Sequence, residues 1–311
     1  MASSLVTHVE VEVIFLNSEM VLYIIGLGLG DEKDITVRGL EAVKTCERLY
    51  LEFYTSILGI DNAKLEAFYG IPVVMADRTM CEGEAEQIYE DAKTKNIGFL
   101  VVGDPLCATT HTDLMIRARS LGIQVEVIHN TSVMGAAASC GLQLYQYGYT
   151  VSIPLFEGDW RPASFYDRIK YNKDGGMHTL ALLDIKVKEP DYTNHRGGKL
   201  KYLPPRFMTV NQAIEQMLEV EDQRQGGICG EETMAVGMAR LGQPTQKIVY
   251  GSLKELRTVD FGPPLHSIAL VGEVHPLEQE LLDFYRASEA DLNTYSLPEE
   301  KEGSESDDPP Y

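Results

Sequence analysis

The chain has 311 residues, with 27 Lys plus Arg against 47 Asp plus Glu and a formal net charge of −20. That balance excludes the usual phosphate-tracking nucleic-acid binder, which needs a basic footprint, and a lipid-docking polybasic patch. Hydrophobic residues at 44% and charged residues at 24% describe an ordinary globular composition. No run of about 18 apolar residues marks a membrane-spanning helix. The five cysteines are odd in number and contain no C-x-x-C pair, so neither a disulfide framework nor a structural zinc site is expected. A reducing, cytoplasmic compartment fits this usage.

Residues 1–19 carry no Lys or Arg and match neither a signal peptide nor a transit peptide. They read as a flexible N-terminal extension, with Met20 directly before the first strong strand. Val21–Ile25 is a continuous apolar run, the mark of a strand buried on both faces. It ends in the turn Gly26-Leu27-Gly28-Leu29-Gly30-Asp31, and Val37, Leu40 and Val43 then repeat at helical spacing. Arg48–Glu52 reads as a second strand, 82–95 as a polar helix, and Phe99–Val102 as a buried strand ending in Gly103-Asp104-Pro105. A helix follows from Thr110, whose spacing to Asp113 suggests a capping box, and Gly122 stops it. Val125–Ile128 is the next strand. Strands alternating with helices predict an α/β fold with a mainly parallel sheet over 20–134.

The second half, 135–286, opens on the small residues Gly135 to Gly141 and then repeats the alternation more loosely. Strands are predicted at Thr150–Ile153, Thr179–Leu183, Thr233–Leu241, Lys247–Tyr250 and Ser267–Val271. Pro162 suits the first turn of one helix, Thr209 with Gln212 caps a long one, and Pro276–Tyr285 closes the domain. From Ala287 to the end, eight acidic residues stand against Lys301 alone, so 287–311 reads as a disordered acidic tail.

The glycine-rich turn lies between a buried strand and a helix, where α/β folds place ligands. A dinucleotide fingerprint needs glycine where this chain has Asp31, although Glu52 stands near the distance of a ribose-binding acid. A tight turn requiring positive φ is the plain alternative. Asp104, at a strand's carboxyl end, can accept hydrogen bonds from a ligand or simply form a turn. The histidines show no metal-ligand spacing, so no metal is expected. A G-x-S-x-G elbow and a P-loop lysine are also missing from the sequence.

The segments Leu22–Asp31, Val102–Pro105, Ala108–His111, His129–Ser132 and Gly176–Leu180 together resemble the diphthine synthase family. So do Asp184–Glu189, Pro204–Arg206, Val236–Arg240 and Pro264–Ser267. The likeness runs in order over about 20–285 and points to the eukaryotic branch. It implies a two-domain, tetrapyrrole-methylase-like (class III) α/β methyltransferase, with a mainly parallel sheet in the N-terminal domain and a mixed sheet in the C-terminal one. The resemblance further implies S-adenosylmethionine as cofactor, bound in the cleft between the domains, and a homodimer. The protein substrate it implies is translation elongation factor 2, on a histidine bearing a 3-amino-3-carboxypropyl arm. Three methyl groups would go to the amine and one to the carboxylate, a step of diphthamide synthesis. Carried over motif by motif, the cofactor-binding positions are Leu29, Asp104, Cys107, Ser132, Val133, Leu183, Leu241 and His266. Cys107 falls where relatives commonly have glycine. No residue is identifiable as catalytic. A porphyrin-ring methyltransferase of the same fold, a NAD-dependent oxidoreductase and a non-catalytic elongation-factor-binding protein are the alternatives.

Overall fold

A computed structural model describes residues 20–54, 56, 58, 60–78, 80–81, 85–187, 189 and 202–296. The extension 1–19 and most of the acidic tail therefore lie outside the described residues. The chain divides into two compact units that are not contiguous in sequence. Described residues of 20–27, 35–53 and 60–130 make the first, and 28–34, 54–58 and 131–296 the second.

The first unit runs β1 (Val21–Gly26), α1 (Val37–Thr45), β2 (Arg48–Glu52), α2 (Asn62–Tyr69), β3 (Val73–Ala76), α3 (Glu86–Ala92), β4 (Ile97–Val101), α4 (His111–Ser120) and β5 (Gln124–Ile128). The five strands are all parallel in the order β3-β2-β4-β1-β5. Helix crossovers cover such a sheet on both faces, so its central strands must be apolar throughout. Leu22, Ile24, Ile25, Phe99 and Leu100 are accordingly fully buried. Thr36 caps α1 by accepting the Gly39 N–H at 3.0 Å. Asp61 caps α2, which ends on left-handed Gly70. The amino ends of the strands are stitched by Asn96, which accepts from Val21 N and donates to Thr45 O.

Two expectations differ from what forms here, and one pair of elements is not expected from the sequence. Helix α3 begins at Glu86, and 82–84 lie outside the described residues. Thr110 precedes α4 with φ −103° and ψ 7°, and its side chain does not cap the helix. The pair α2 and β3 carries too little periodicity to have been read: β3 is a four-residue edge strand with two exposed members.

The second unit begins with α5 (Val133–Ala136), which tightens into a 3-10 turn at Ala137–Cys140. There follow β6 (Val151–Ile153), α6 (Ser164–Asp174), β7 (Thr179–Leu183), β8 (Ile185–Lys186), β9 (Arg206–Phe207), α7 (Val210–Arg224), β10 (Met234–Ala239), β11 (Lys247–Ser252), α8 (Leu253–Leu256), β12 (His266–Leu270) and α9 (Pro276–Phe284). Its sheet has the order β11-β10-β12-β7-β6, antiparallel except for β6 beside β7. One face packs on α6 and α7 through Phe165, Ile169, Ile214, Met217 and Ile268. The other packs Leu180, Val236, Met238 and Ala269 on Ala137, Cys140 and Leu282. Helix α7 carries the full Thr209–Gln212 capping box. Pro162 sits just ahead of α6 rather than in its first turn.

The acidic end departs from its composition. Residues 287–295, read as the start of a disordered tail, are tied to the fold. Ala287 N donates to Tyr250 O at 2.8 Å, Asp260 N to Thr294 Oγ1 at 2.8 Å, and Thr294 N and Tyr295 N both to Thr258 O. Asp291 pairs with Lys247 at 3.3 Å, and Ala287 and Leu292 pack on the core. Composition misled because only two of the eight acidic residues fall in this stretch. Ending the chain at residue 296 keeps all of these contacts and serves as the reference. Ending it at 285 should lower stability by roughly 3 kcal/mol or more, since several internal hydrogen bonds each contribute about 0.5–1.5 kcal/mol. Thermal unfolding of the two truncations checks this.

Candidate functional site

In the first unit, the neighbouring strands β4, β1 and β5 end at one edge of the sheet, each on a motif singled out from sequence. Glycine is needed at Gly26 because the loops crowd it. A Cβ there would lie 2.7 Å from Gly103 O, 2.8 Å from Asn130 Cβ and 3.0 Å from Pro105 Cδ. Asn130 Nδ2 donates to Gly26 O at 2.9 Å, which fixes the β5 end onto the β1 end.

Asp104 is the hub of this edge. It is only 5% exposed, and its Oδ1 accepts from Leu106 N at 2.9 Å. Its Oδ2 accepts from His129 Nδ1 at 2.8 Å and from Asn130 N at 3.1 Å. Burial works against the charged form, but these donors outweigh it and hold the carboxyl below its ordinary range. A carboxylate offers about four lone-pair sites. Three are used within the chain, so the main work of Asp104 is to lock the β4 and β5 loops together. Cys107 sits half-buried in the same loop, its N–H bonded to Asp104 O at 3.2 Å. Glu52, the candidate ribose ligand of the dinucleotide reading, is fully buried at the end of β2.

The second unit gathers the other six positions. Leu183 ends β7 and His266 begins the antiparallel β12, with Ser267 opposite Leu182, so both lie at one edge of the sheet. Ala239 pairs with His266, which brings the end of β10, and with it Leu241, to the same edge. The Leu29 turn docks there as well: Gln243 Nε2 donates to Leu29 O at 3.3 Å, and a Cβ on Gly242 would lie 3.2 Å from Leu29 Cβ. Asp34 holds that turn by accepting from Gly30 N at 2.7 Å. Val133 packs in the cluster that contains Leu241, and Ser132 is the buried residue at the start of α5.

His266 is fully engaged. Its Nδ1 accepts the Val210 N–H at the start of α7 at 3.3 Å, so the proton is on Nε2, which lies 3.0 Å from both Gly262 O and Pro263 O. That geometry requires the neutral ring and leaves neither nitrogen free as a base. Burial lowers its pKa and the nearby Arg240 charge adds to this, against the opposing carbonyls and Asp260. The buried His178 is arranged alike. Nδ1 accepts from Gly272 N at 2.9 Å and Nε2 lies 3.2 Å from Glu278 Oε1. Burial lowers its pKa too, outweighing Glu278.

For both histidines the folded pKa lies below the unfolded one. Between the two values the unfolded chain binds more protons, so stability is complete above about pH 6.5 and declines as pH falls below it. The depressed carboxyls of Asp104, of Glu278 and of Glu221, which accepts from Gly227 N, Ile228 N and Cys229 N, lose their contribution only in more acid solution. Melting temperature should therefore fall between pH 7 and pH 5 in the wild type, and the decline should be shallower in His266→Asn. Equal slopes would contradict the lowered pKa of His266.

Sequence reading missed Asn130 and Arg240 as architects of these edges, although both lie inside motifs it had quoted. Among the described residues, no group of acidic, His and Cys side chains could hold a metal ion, and no helix is long and apolar enough to cross a membrane.

Comparison with known proteins fits this architecture. The family model for tetrapyrrole (corrin/porphyrin) methylases matches residues 21–257. The diphthine methyl ester synthase of Homo sapiens is 52% identical over 281 residues, covering 89% of this chain and 99% of its own. That of Dictyostelium discoideum is 52% identical over 269 residues, covering 86% and 98%. Among solved structures, one from Entamoeba histolytica is 51% identical with a TM-score of 0.77, covering 86% of this chain and 99% of that one. A crystal structure of diphthine synthase is 31% identical with a TM-score of 0.73, covering 88% and 98%. The chain thus belongs to the tetrapyrrole methylase family and, within it, to the diphthine methyl ester synthases, and it is a methyltransferase.

Proposed function

We propose that the protein transfers methyl groups from S-adenosylmethionine to the 3-amino-3-carboxypropyl-histidine of translation elongation factor 2. Three would go to the amine and one to the carboxylate, giving diphthine methyl ester in diphthamide biosynthesis. The observation that carries this reading is identity above 50% to diphthine methyl ester synthases over most of the chain.

The residues present suit such a cofactor. Leu29 and Val133 keep apolar surface partly exposed, buried Leu183 and Leu241 back the strand ends, the strand-end loops offer backbone donors and acceptors, and the acidic chain suits a cationic ligand. When bound, S-adenosylmethionine supplies a sulfonium-activated methyl group for in-line displacement. The chain's part is then to align donor with acceptor and exclude water, and positioning alone is worth roughly 7–11 kcal/mol. Side chains at the strand-end loops are spent on holding those loops, and His266 has no spare nitrogen for proton transfer. The amine must lose its proton before attack, and no base on this chain is assigned to that step.

The reading has the protein acting as a homodimer in the cytoplasm. Leu277, Leu281 and Phe284 lie along α9 with their side chains exposed, the kind of surface a second copy covers. Calorimetry tests the cofactor: S-adenosylmethionine should bind and NAD should not. Uptake of NAD alone would move the chain to the oxidoreductase reading, and uptake of neither to a binding module.

A further inference from the structure

Arg240 follows β10 with a left-handed backbone, φ 49°, uncommon for a residue with a side chain. Its N–H donates to Leu265 O at 2.8 Å and its carbonyl accepts from Gln243 N at 3.0 Å. The guanidinium then spreads over two loops. Nε donates to Thr245 O at 3.1 Å and to Thr245 Oγ1 at 3.0 Å, and Nη2 to Thr245 O at 2.8 Å. On the other side Nη1 donates to Phe261 O at 2.8 Å and to Pro263 O. These hydrogen-bond acceptors are all carbonyl or hydroxyl oxygens.

The two loops are the ones that bear on the sheet edge described above. The 241–246 turn carries Leu241, and Gln243 from it holds the Leu29 turn. The 261–265 loop leads into His266, whose Nε2 reaches the same Pro263 carbonyl. Pro263 O is therefore gripped by Arg240 and by His266 at once. Three of the positions proposed to bind the cofactor, Leu29, Leu241 and His266, lie on or against these loops, and Leu183 ends the strand beside β12.

We propose that Arg240 is a positioning residue for the methyl-donor site. Its planar fork fixes the 241–246 and 261–265 loops in one arrangement, and losing it weakens donor binding far more than acceptor binding. This rests on the reading of the protein as an S-adenosylmethionine-dependent methyltransferase. A lysine cannot substitute, because one ammonium on a flexible stem cannot span two loops with five directed N–H groups. The effect is on pre-organisation: loops that must be ordered on binding cost affinity.

The test uses the full chain and S-adenosylmethionine itself. In calorimetry, wild type should bind, Arg240→Lys should bind about tenfold more weakly, and Thr245→Val, which removes one acceptor, should show a smaller loss in the same direction. In turnover, KM for S-adenosylmethionine should rise in both variants while KM for the protein acceptor stays put. Hydrogen exchange should speed up at 241–246 and 261–265 and not in the first unit. Unchanged donor affinity in folded Arg240→Lys overturns the proposal, as does an equal rise in both KM values. If Arg240→Lys does not fold, Thr245→Val decides by the same criteria. A wild type that fails to bind S-adenosylmethionine overturns the functional reading instead, and this proposal with it.

Discussion

Replacing Asp104 by alanine should cost about 2–4 kcal/mol of stability and sharply reduce methyl transfer. Hydrogen bonds to a charged group are each worth about 1.5–3 kcal/mol, and an unpaired buried donor adds its desolvation penalty. Asp104→Ala strips the acceptor from Leu106 N, Asn130 N and His129 Nδ1 together. The upper end is tempered because His129 is exposed and can turn to water. Asp104→Asn keeps the shape and one acceptor oxygen, so it should lose less. Chemical denaturation of both variants, with turnover measured on the folded fraction, checks the order. Alanine as stable as wild type would remove Asp104 from the centre of this edge.

Gly26→Ala is expected to be more damaging, at about 3 kcal/mol or more. Overpacking ordinarily costs 1–3 kcal/mol when a neighbour can yield. Here the nearest atoms are a backbone carbonyl at 2.7 Å and the Cβ of Asn130 at 2.8 Å, neither the movable end of a side chain. Relief requires the β4 or β5 loop to shift, which strains the Asn130 bond to Gly26 O. Gly135→Ala is the control, since a Cβ there meets nothing within 4 Å and alanine favours a helix. Gly135→Ala should match wild type in melting temperature while Gly26→Ala falls well below it. Similar melting temperatures for the two would contradict the crowding argument.

How far the sequence could be read follows from what each element buries. Strands β1, β4 and β7 run through the interior, so their apolar runs announce them. The edge strand β3 is half exposed and follows a weakly patterned helix, and the two-residue strands β8 and β9 are far apart in the chain, so no local pattern marks them. The glycine-rich turn and Asp104 were legible as positions but not in their roles. Spacing places Gly26 in a turn, and only the approach of Gly103 and Asn130 shows why it must be glycine. Spacing offers Asp104 as a ligand residue, and its bonds add a role that spacing does not show, locking the β4 and β5 loops together. His266 enters from the sequence only as a cofactor-binding position implied by resemblance, and its tautomer depends on Val210 and Pro263, distant or unpatterned neighbours. Such couplings are made by the fold and leave no trace in local periodicity.

The number of methyl groups has its own logic. A trimethylated nitrogen is a fixed cation that can accept no more, so a fourth transfer needs another nucleophile, and the carboxylate of the same arm supplies one. The ester formed is labile to alkali, while the quaternary amine is not. The most direct measurement incubates the protein with S-adenosylmethionine and elongation factor 2 bearing the unmethylated arm, then reads the modified peptide by mass spectrometry before and after brief mild base. Four added methyl groups, of which base removes one, is the predicted result. No methyl transfer to the arm, or a product that stops at three with none labile to base, would contradict it.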